Sequence, residues 1–319
     1  MKHSEEMWWN QTSMTEFILL GFGNVSHLRG MLFSMILLMY LMTIVGNIFI
    51  IMIIMVDCAL QSPMYFFLKN LSFIEICFTL DTVPKMLVDL LAEDKSISFT
   101  GCALQMYFFF SFGCAECFIL AAMAYDCHTA ICNPLHYSTI MNQRFCCKVV
   151  GAIWITGAFI SLLQTVWIFN MPFCGPNKVN HFFCDAPALL QLVCSDTYLY
   201  EMQIMASTLL VCLFPLTLIL VSYIRIITTI LRIPSSEGRR KAFSTCSSHL
   251  TVVTLFYGSG SLVYLWPKSS YSPDIKKLLS LFYTVITPML NPIIYSLRNN
   301  EVKGALKRAL GRKLISQKI

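Results

Sequence analysis

Apolar residues in this chain gather into seven long blocks separated by short polar runs. Gly30 to Val56 carries no charge, Ala242 to Pro267 contains one histidine, and Leu278 to Leu297 is again uncharged. Val149 to Phe173 and Tyr198 to Ile224 are nearly clean. Two blocks hold acids: Ser62 to about Leu87 carries Glu75 and Asp81, and Ser98 to Tyr125 carries Glu116. A helix crosses a hydrocarbon core with roughly 20 apolar residues, and it satisfies its own backbone polar groups, as lipid demands. The pattern predicts an all-α membrane protein, a bundle of seven transmembrane helices. Composition agrees, since 56% of the 319 residues are hydrophobic and only 13% are charged. No polar stretch is long enough for a second domain. The expected division is a segment over residues 1–28, the seven-helix domain over 29–298, and an amphipathic helix and tail over 299–319. No repeat or pair of broken helices points to an inverted-repeat transporter.

Charge sets the expected orientation. Asp126 to Lys148, Arg225 to Lys241 and the tail after Arg298 are the basic segments, densest at Arg232, Arg239, Arg240 and Lys241. The alternate segments dilute their cations with acids such as Glu5, Glu6, Glu93, Asp94 and Asp196. The positive-inside rule then puts the C-terminus in the cytoplasm and the N-terminus outside, although Arg29 and Asp57 around the first block run the other way. Sequons at Asn10 and Asn24 fit an N-terminal segment that faces the lumen. The N-terminus lacks an apolar signal-peptide core, so the first helix is expected to act as its own insertion signal.

Short motifs narrow the class. Gly46-Asn47 lies within the first block, and Pro63-Met64-Tyr65-Phe66-Phe67-Leu68 opens the second. Met123-Ala124-Tyr125-Asp126 closes the third and leads to Pro134-Leu135-His136-Tyr137. Ser222-Tyr223 ends the fifth, Lys241-Ala242-Phe243-Ser244-Thr245-Cys246-Ser247-Ser248-His249-Leu250 opens the sixth, and Pro288-Met289-Leu290-Asn291-Pro292-Ile293-Ile294-Tyr295 closes the seventh. In this order, over about Phe17 to Leu310, they resemble the odorant receptors, a branch of the rhodopsin-like G-protein-coupled receptors. The resemblance implies a receptor for small, mostly apolar volatile molecules. It also implies coupling to a heterotrimeric G protein of the stimulatory olfactory type, in the plasma membrane of olfactory sensory neuron cilia. A receptor of the same fold used outside the olfactory epithelium, and a seven-helix transporter or channel, are the alternatives.

The residues also carry physical expectations. Pro292 removes a hydrogen bond and should kink its helix, with Asn291 beside it to satisfy a freed carbonyl or hold water and Tyr295 one turn on. Glu75 and Glu116 should face the bundle interior, because a carboxylate in a bilayer costs at least about 2.5 kcal/mol. The resemblance implies that Asn47, Glu75, Glu116 and Asn291 surround a sodium or proton site. Two close carboxylates cannot both ionise comfortably without a cation between them, and a protonated structural pair is the plainer reading. Nothing in the sequence accounts for Asp81.

Of fourteen cysteines, Cys102, Cys174, Cys184 and Cys194 fall on the expected outer side, where disulfides persist. Four cysteines allow three connectivities. The resemblance implies Cys102 with Cys184 and Cys174 with Cys194. At the end of the third block the family has Asp-Arg-Tyr, whereas this chain has Asp126-Cys127-His128. The family arginine restrains the inactive state and, in the active state, reaches the G protein and the residue matching Tyr223. Cysteine is short and neutral, so either signalling is impaired, biased or constitutively altered, or the lost contact is tolerated because coupling is spread over several loops.

The resemblance places the ligand in the outer half of the bundle. Counting helix faces from Cys102, the third helix should present Met106, Phe109, Phe110, Gly113 and Cys114. The fifth should present Ser207, Thr208 and Val211, the sixth Gly260, Ser261 and Tyr264, and the seventh Leu281 and Thr284. This is an apolar cup with a few hydroxyls. Phe109 stands where amine receptors carry an aspartate, and the seventh block has no lysine for a retinal Schiff base. No nucleophile–base pair, phosphate loop or metal motif appears, so neither an enzyme nor a cofactor is expected beyond the sodium ion. The basic clusters flank membrane helices and suit lipid headgroups rather than nucleic acid.

Overall fold

Seven long helices form where the apolar blocks lie. α1 is Arg29–Val56, α2 Pro63–Leu91, α3 Phe99–Cys132 and α4 Gln143–Phe169. α5 is built from Tyr198–Thr208, Leu209–Leu213 and Phe214–Leu231, α6 is Ser236–Tyr264, and α7 joins Pro273–Leu281, Phe282–Ile286 and Thr287–Arg298. The computed structural model describes residues 14–22, 28–174, 176–232, 235–264, 273–298, 301–305 and 308. The sequons at Asn10 and Asn24, and most of the 299–319 tail, lie outside the described residues. Among those described, five helices are long and apolar enough to cross a membrane, namely α1, α3, α4, α5 and α7. α2 misses that measure through its interior charges, and α6 through the hydroxyl residues, glycines and histidine spread along its uncharged stretch.

Several helix ends differ from the apolar blocks. α3 runs seven residues past Tyr125, because polar residues at a helix end do not stop a helix. It stops where Pro134 drives Asn133 out of the helical region, to φ −132° and ψ 55°. α4 starts early, at the Asn142 cap, whose side-chain oxygen accepts from the Phe145 N–H at 3.0 Å. It ends at Phe169 rather than Phe173, just before Met171-Pro172. α2 continues to Leu91 through Pro84.

The middle segments of α5 and α7 are single π-helical turns. Each lies just before a proline, Pro215 or Pro288. A proline lacks its N–H and crowds the carbonyl four residues back, and one wider turn relieves both problems.

α3 is the central helix, packed against α2, α4, α5 and α6. Outward faces keep large apolar side chains exposed, among them Leu38, Met52, Ile155, Leu210 and Leu220. Inward faces bury Thr43, Asn47, Ser72, Glu75, Thr79, Glu116 and Asn291. That inversion suits lipid outside and polar contacts within. Two glycines set helix spacing. A Cβ on Gly157 of α4 would sit 2.9 Å from the Ser111 carbonyl oxygen of α3, and one on Gly46 of α1 would sit 3.0 Å from Pro292 Cγ of α7.

One end of the bundle carries a small sheet that the apolar pattern did not anticipate. β1 (Glu16–Leu19) lies between β2 (Ser96–Ser98), antiparallel, and β3 (Lys178–Val179), parallel. Phe17 is fully buried and meets the rings of Phe99, Phe169 and Phe173 at 5.8, 6.5 and 5.4 Å. Disulfides Cys102–Cys184 and Cys174–Cys194 join the α4–α5 loop to α3 and to itself. At the other end Tyr65 of α2 donates to Glu301 at 2.7 Å, and Arg308 pairs with Asp57 at 2.8 Å.

Candidate functional site

A cavity of about 130 Å³ lies within the half of the bundle that carries the disulfides. α3 supplies Phe109, Phe110, Gly113, Cys114 and Cys117; α5 supplies Ser207, Thr208, Val211, Cys212, Leu213 and Leu216. Phe256, Tyr257 and Gly260 of α6, Gln164 of α4, Phe78 of α2 and Tyr283 of α7 complete the wall. The loop over it is tied down locally. Gln105 accepts from the Cys184 N–H at 2.9 Å and donates to the Asp81 carbonyl at 3.0 Å, and the Phe183 ring lies 4.6 Å from that of Phe109.

The structure brings together Phe109, Phe110, Gly113, Cys114, Ser207, Thr208, Val211 and Gly260. Met106 does not join them. It is fully buried one turn from Cys102, in the cluster that holds Phe17 and Tyr200. Leu281 packs instead against the cluster of Phe78, Met86 and Tyr283, and the Thr284 hydroxyl donates to the Ser280 carbonyl at 2.7 Å. The reason is the wide turn Phe282–Ile286, which shifts the helical phase so that Tyr283 faces the cavity. The side chains of Ser261 and Tyr264 lie outside the described ones. The α5 wide turn likewise brings in Leu213, whereas Cys212, four residues after Thr208, follows from ordinary helical spacing. The only signal for either was the proline that follows.

Below the cavity lies a polar core. Glu75 and Glu116 are each 1% exposed and close enough for their charges to interact. The Asn291 amide donates to Glu75 rather than to a carbonyl freed by Pro292. That carbonyl, of Pro288, is instead approached by the Asn47 amide at 3.5 Å. Asn47 also lies within reach of Glu75. Three buried acceptor oxygens here have no partner: Asn47 Oδ1, Asn291 Oδ1 and Glu116 Oε1. Oxygen acceptors without donors suit a hard cation or a carboxyl proton, the two occupants that the resemblance implied for these residues.

At the far end, the Tyr137 hydroxyl donates to Asp126 Oδ1 at 2.9 Å. Burial first, and then the neighbouring carboxylate, push the Tyr137 phenol up, which keeps it a donor. Asp126 thus finds its partner in the α3–α4 loop. Cys127 is buried, 4.0 Å from Met64 Sδ and beside the Cys246 thiol. The Tyr223 hydroxyl is taken by His249 Nδ1 at 2.6 Å, with the Cys246 carbonyl at 3.3 Å. Tyr295 is buried with an unpartnered hydroxyl. Among the described residues no group of three His, Cys, Asp or Glu could hold a metal ion.

Seven helices around a central α3, with an apolar cavity in one half and a polar core beneath it, define the rhodopsin-like receptor fold. Squid rhodopsin shares it, with a TM-score of 0.73 over 91% of this chain and 87% of that one, at 18% identity. The family pattern described as olfactory receptor matches residues 36–313. The chain is 61% identical to human (Homo sapiens) olfactory receptor 10A7 over 97% of its own length and 98% of that protein's. Human olfactory receptor 10A5 is 59% identical, with 96% of each chain covered. The chain belongs to the olfactory receptor family of G-protein-coupled receptors, multi-pass membrane proteins that signal and are not enzymes.

Proposed function

We propose that this chain is an odorant receptor. It binds small, mostly apolar volatile molecules in the cavity between α3, α5 and α6, and it activates a stimulatory olfactory-type G protein. The observation that carries this reading is the cavity itself. Its volume of about 130 Å³ is close to that of an engineered apolar cavity of about 150 Å³ that takes up benzene. Phenyl rings, thiols and short aliphatic chains make up most of its wall, as for a ligand that gains most of its binding energy by leaving water. The disulfide end and residues 1–28 face outside, with Asn10 and Asn24 glycosylated. The Asp126 end and residues 299–319 face the cytoplasm, in the ciliary plasma membrane.

Signalling follows a shift between two packings of the bundle. A ligand favours the active packing only by its differential affinity for it. Asp126, Cys127, Tyr223, Asn291, Pro292 and Tyr295 form the switch, and opening α6 outward would part Tyr223 from His249. Asn47, Glu75, Glu116 and Asn291 hold a sodium ion or a proton that stabilises the closed packing. The test is a cAMP screen against a volatile panel in cells that also report ion flux. Ligand-dependent cAMP without flux is expected; flux in cells lacking the G protein would point to a channel.

A further inference from the structure

The mostly apolar cavity wall carries polar side chains at Gln164, Ser207, Thr208 and Tyr257. Gln164 of α4 is only 4% exposed, and its side-chain oxygen is the one buried acceptor among the described cavity-lining residues that has no partner. A buried amide oxygen without a donor costs free energy that a suitable ligand recovers. Tyr200 of α5 donates to the Gln164 backbone carbonyl at 3.3 Å, which brings the start of α5 against this turn of α4.

On that side of α5 Ser207 also lines the cavity, and its oxygen accepts from the Gln203 amide at 3.0 Å. A hydroxyl whose lone pair is engaged still has its own proton to give. Tyr257, across the cavity, already donates to the Cys117 carbonyl at 3.0 Å. Cys114, Cys117 and Cys212 offer sulfur, which bonds weakly.

We infer that this cavity selects small apolar alcohols, whose hydroxyl donates to the Gln164 amide oxygen and accepts from the Ser207 hydroxyl. The inference rests on the cavity being the ligand site. An aldehyde, ketone or ether of the same skeleton accepts from Ser207 but leaves Gln164 unpaired. A hydrocarbon satisfies neither. A site built to hydrogen-bond a substrate group discriminates strongly against analogues that lack it, because its own polar atoms are then left unpaired.

The probes are two matched series, benzyl alcohol with benzaldehyde and toluene, and 1-hexanol with hexanal and hexane. Each is read as a cAMP dose–response on cells carrying equal surface receptor. In the native chain the alcohol is expected to be more potent than its aldehyde by about tenfold, roughly 1.4 kcal/mol, with the hydrocarbon weakest. Gln164→Leu should bring the alcohol down to the level of the aldehyde while leaving the aldehyde unchanged, and Ser207→Ala should weaken both. Equal potency of alcohol and aldehyde in the native chain overturns the inference. So does an equal loss of every ligand in Gln164→Leu at normal surface level, which marks a packing role. Silence toward both alcohols in a receptor that answers other volatile molecules overturns it as well and leaves the receptor reading standing. A receptor that answers no member of a broad volatile panel defeats the receptor reading itself, and this inference with it.

Discussion

Glu116 is fully buried, and one of its oxygens has no partner, although Glu75, which the Asn47 and Asn291 amides reach, is close enough for the two charges to interact. Neutralising it separates a shared cation from a protonated pair. Glu116→Gln keeps size and hydrogen bonding and removes the charge. It is expected to abolish the sodium dependence of basal or agonist-driven cAMP, and unchanged sodium dependence at equal surface expression would favour a protonated structural pair. Cys127 poses a different question, because it is packed among Met64, Cys246 and the bundle core. An arginine there would bring a fixed charge and several donors beside Asp126, in competition with Tyr137. Cys127→Arg should raise the maximal agonist response, with a smaller change in potency because the ligand cavity lies turns away. If the native chain already signals as strongly as the arginine variant, contacts such as Tyr137–Asp126 suffice at this position.

At the scale of elements, close helix approach and loop anchoring set stability. Gly157 lets α4 rest on α3 where a side chain would meet the Ser111 carbonyl at 2.9 Å. Gly157→Val must push the two helices apart, and overpacking of this kind costs about 1–3 kcal/mol. A lower melting temperature in detergent and reduced surface expression are expected; an unchanged melt would mean that the interface is loose. The α4–α5 loop offers a pH test. Burial, with a smaller contribution from Lys277, pushes His181 down to about 3, well below the ordinary imidazole value of 6.5. The unfolded chain therefore binds a proton below pH 6.5 that the folded loop refuses, so stability is full above that pH and falls as pH drops toward 3. From pH 7 to 5.5 the loss should be about 1 kcal/mol, seen as a drop in melting temperature that His181→Gln reduces.

The long helices were legible because lipid rewards uninterrupted apolar runs, and Gly30 to Val56 became α1 within a residue. The end of α3 was not, since Asp126 looks like a stop but is satisfied by Tyr137. β1 was hidden because Glu16 to Leu19 is four residues whose partners are distant in sequence. The cavity wall was partly legible. Phe109, Gly113, Val211, Gly260 and also Cys212, one turn beyond Thr208, follow from regular helical counting, whereas Leu213 and Tyr283 depend on wide turns that counting ignores. Gln164 was missed because α4 was not considered as part of the wall.

For the whole molecule, the apolar cavity sits above a polar core, and the core sits above the Asp126 end, all around one central helix. A ligand in the cavity touches α3, α5 and α6, the helices whose other ends carry Asp126, Tyr223 and His249. That arrangement lets occupancy of one half bias the packing of the other, and it makes the cavity the central claim. Gly113 lines the cavity, and a Cβ added there would meet only Phe78, at an ordinary 3.9 Å. Gly113→Val therefore fills cavity space without breaking a helix contact. The most direct measurement is a cAMP dose–response of this variant against the native chain, normalised to surface receptor, with any volatile agonist the screen yields. The account predicts normal surface level and basal signal with agonist potency reduced by about tenfold or more, the equivalent of roughly 1.4 kcal/mol. Undiminished potency in a well-expressed Gly113→Val receptor would contradict it, because the agonist would then be binding elsewhere.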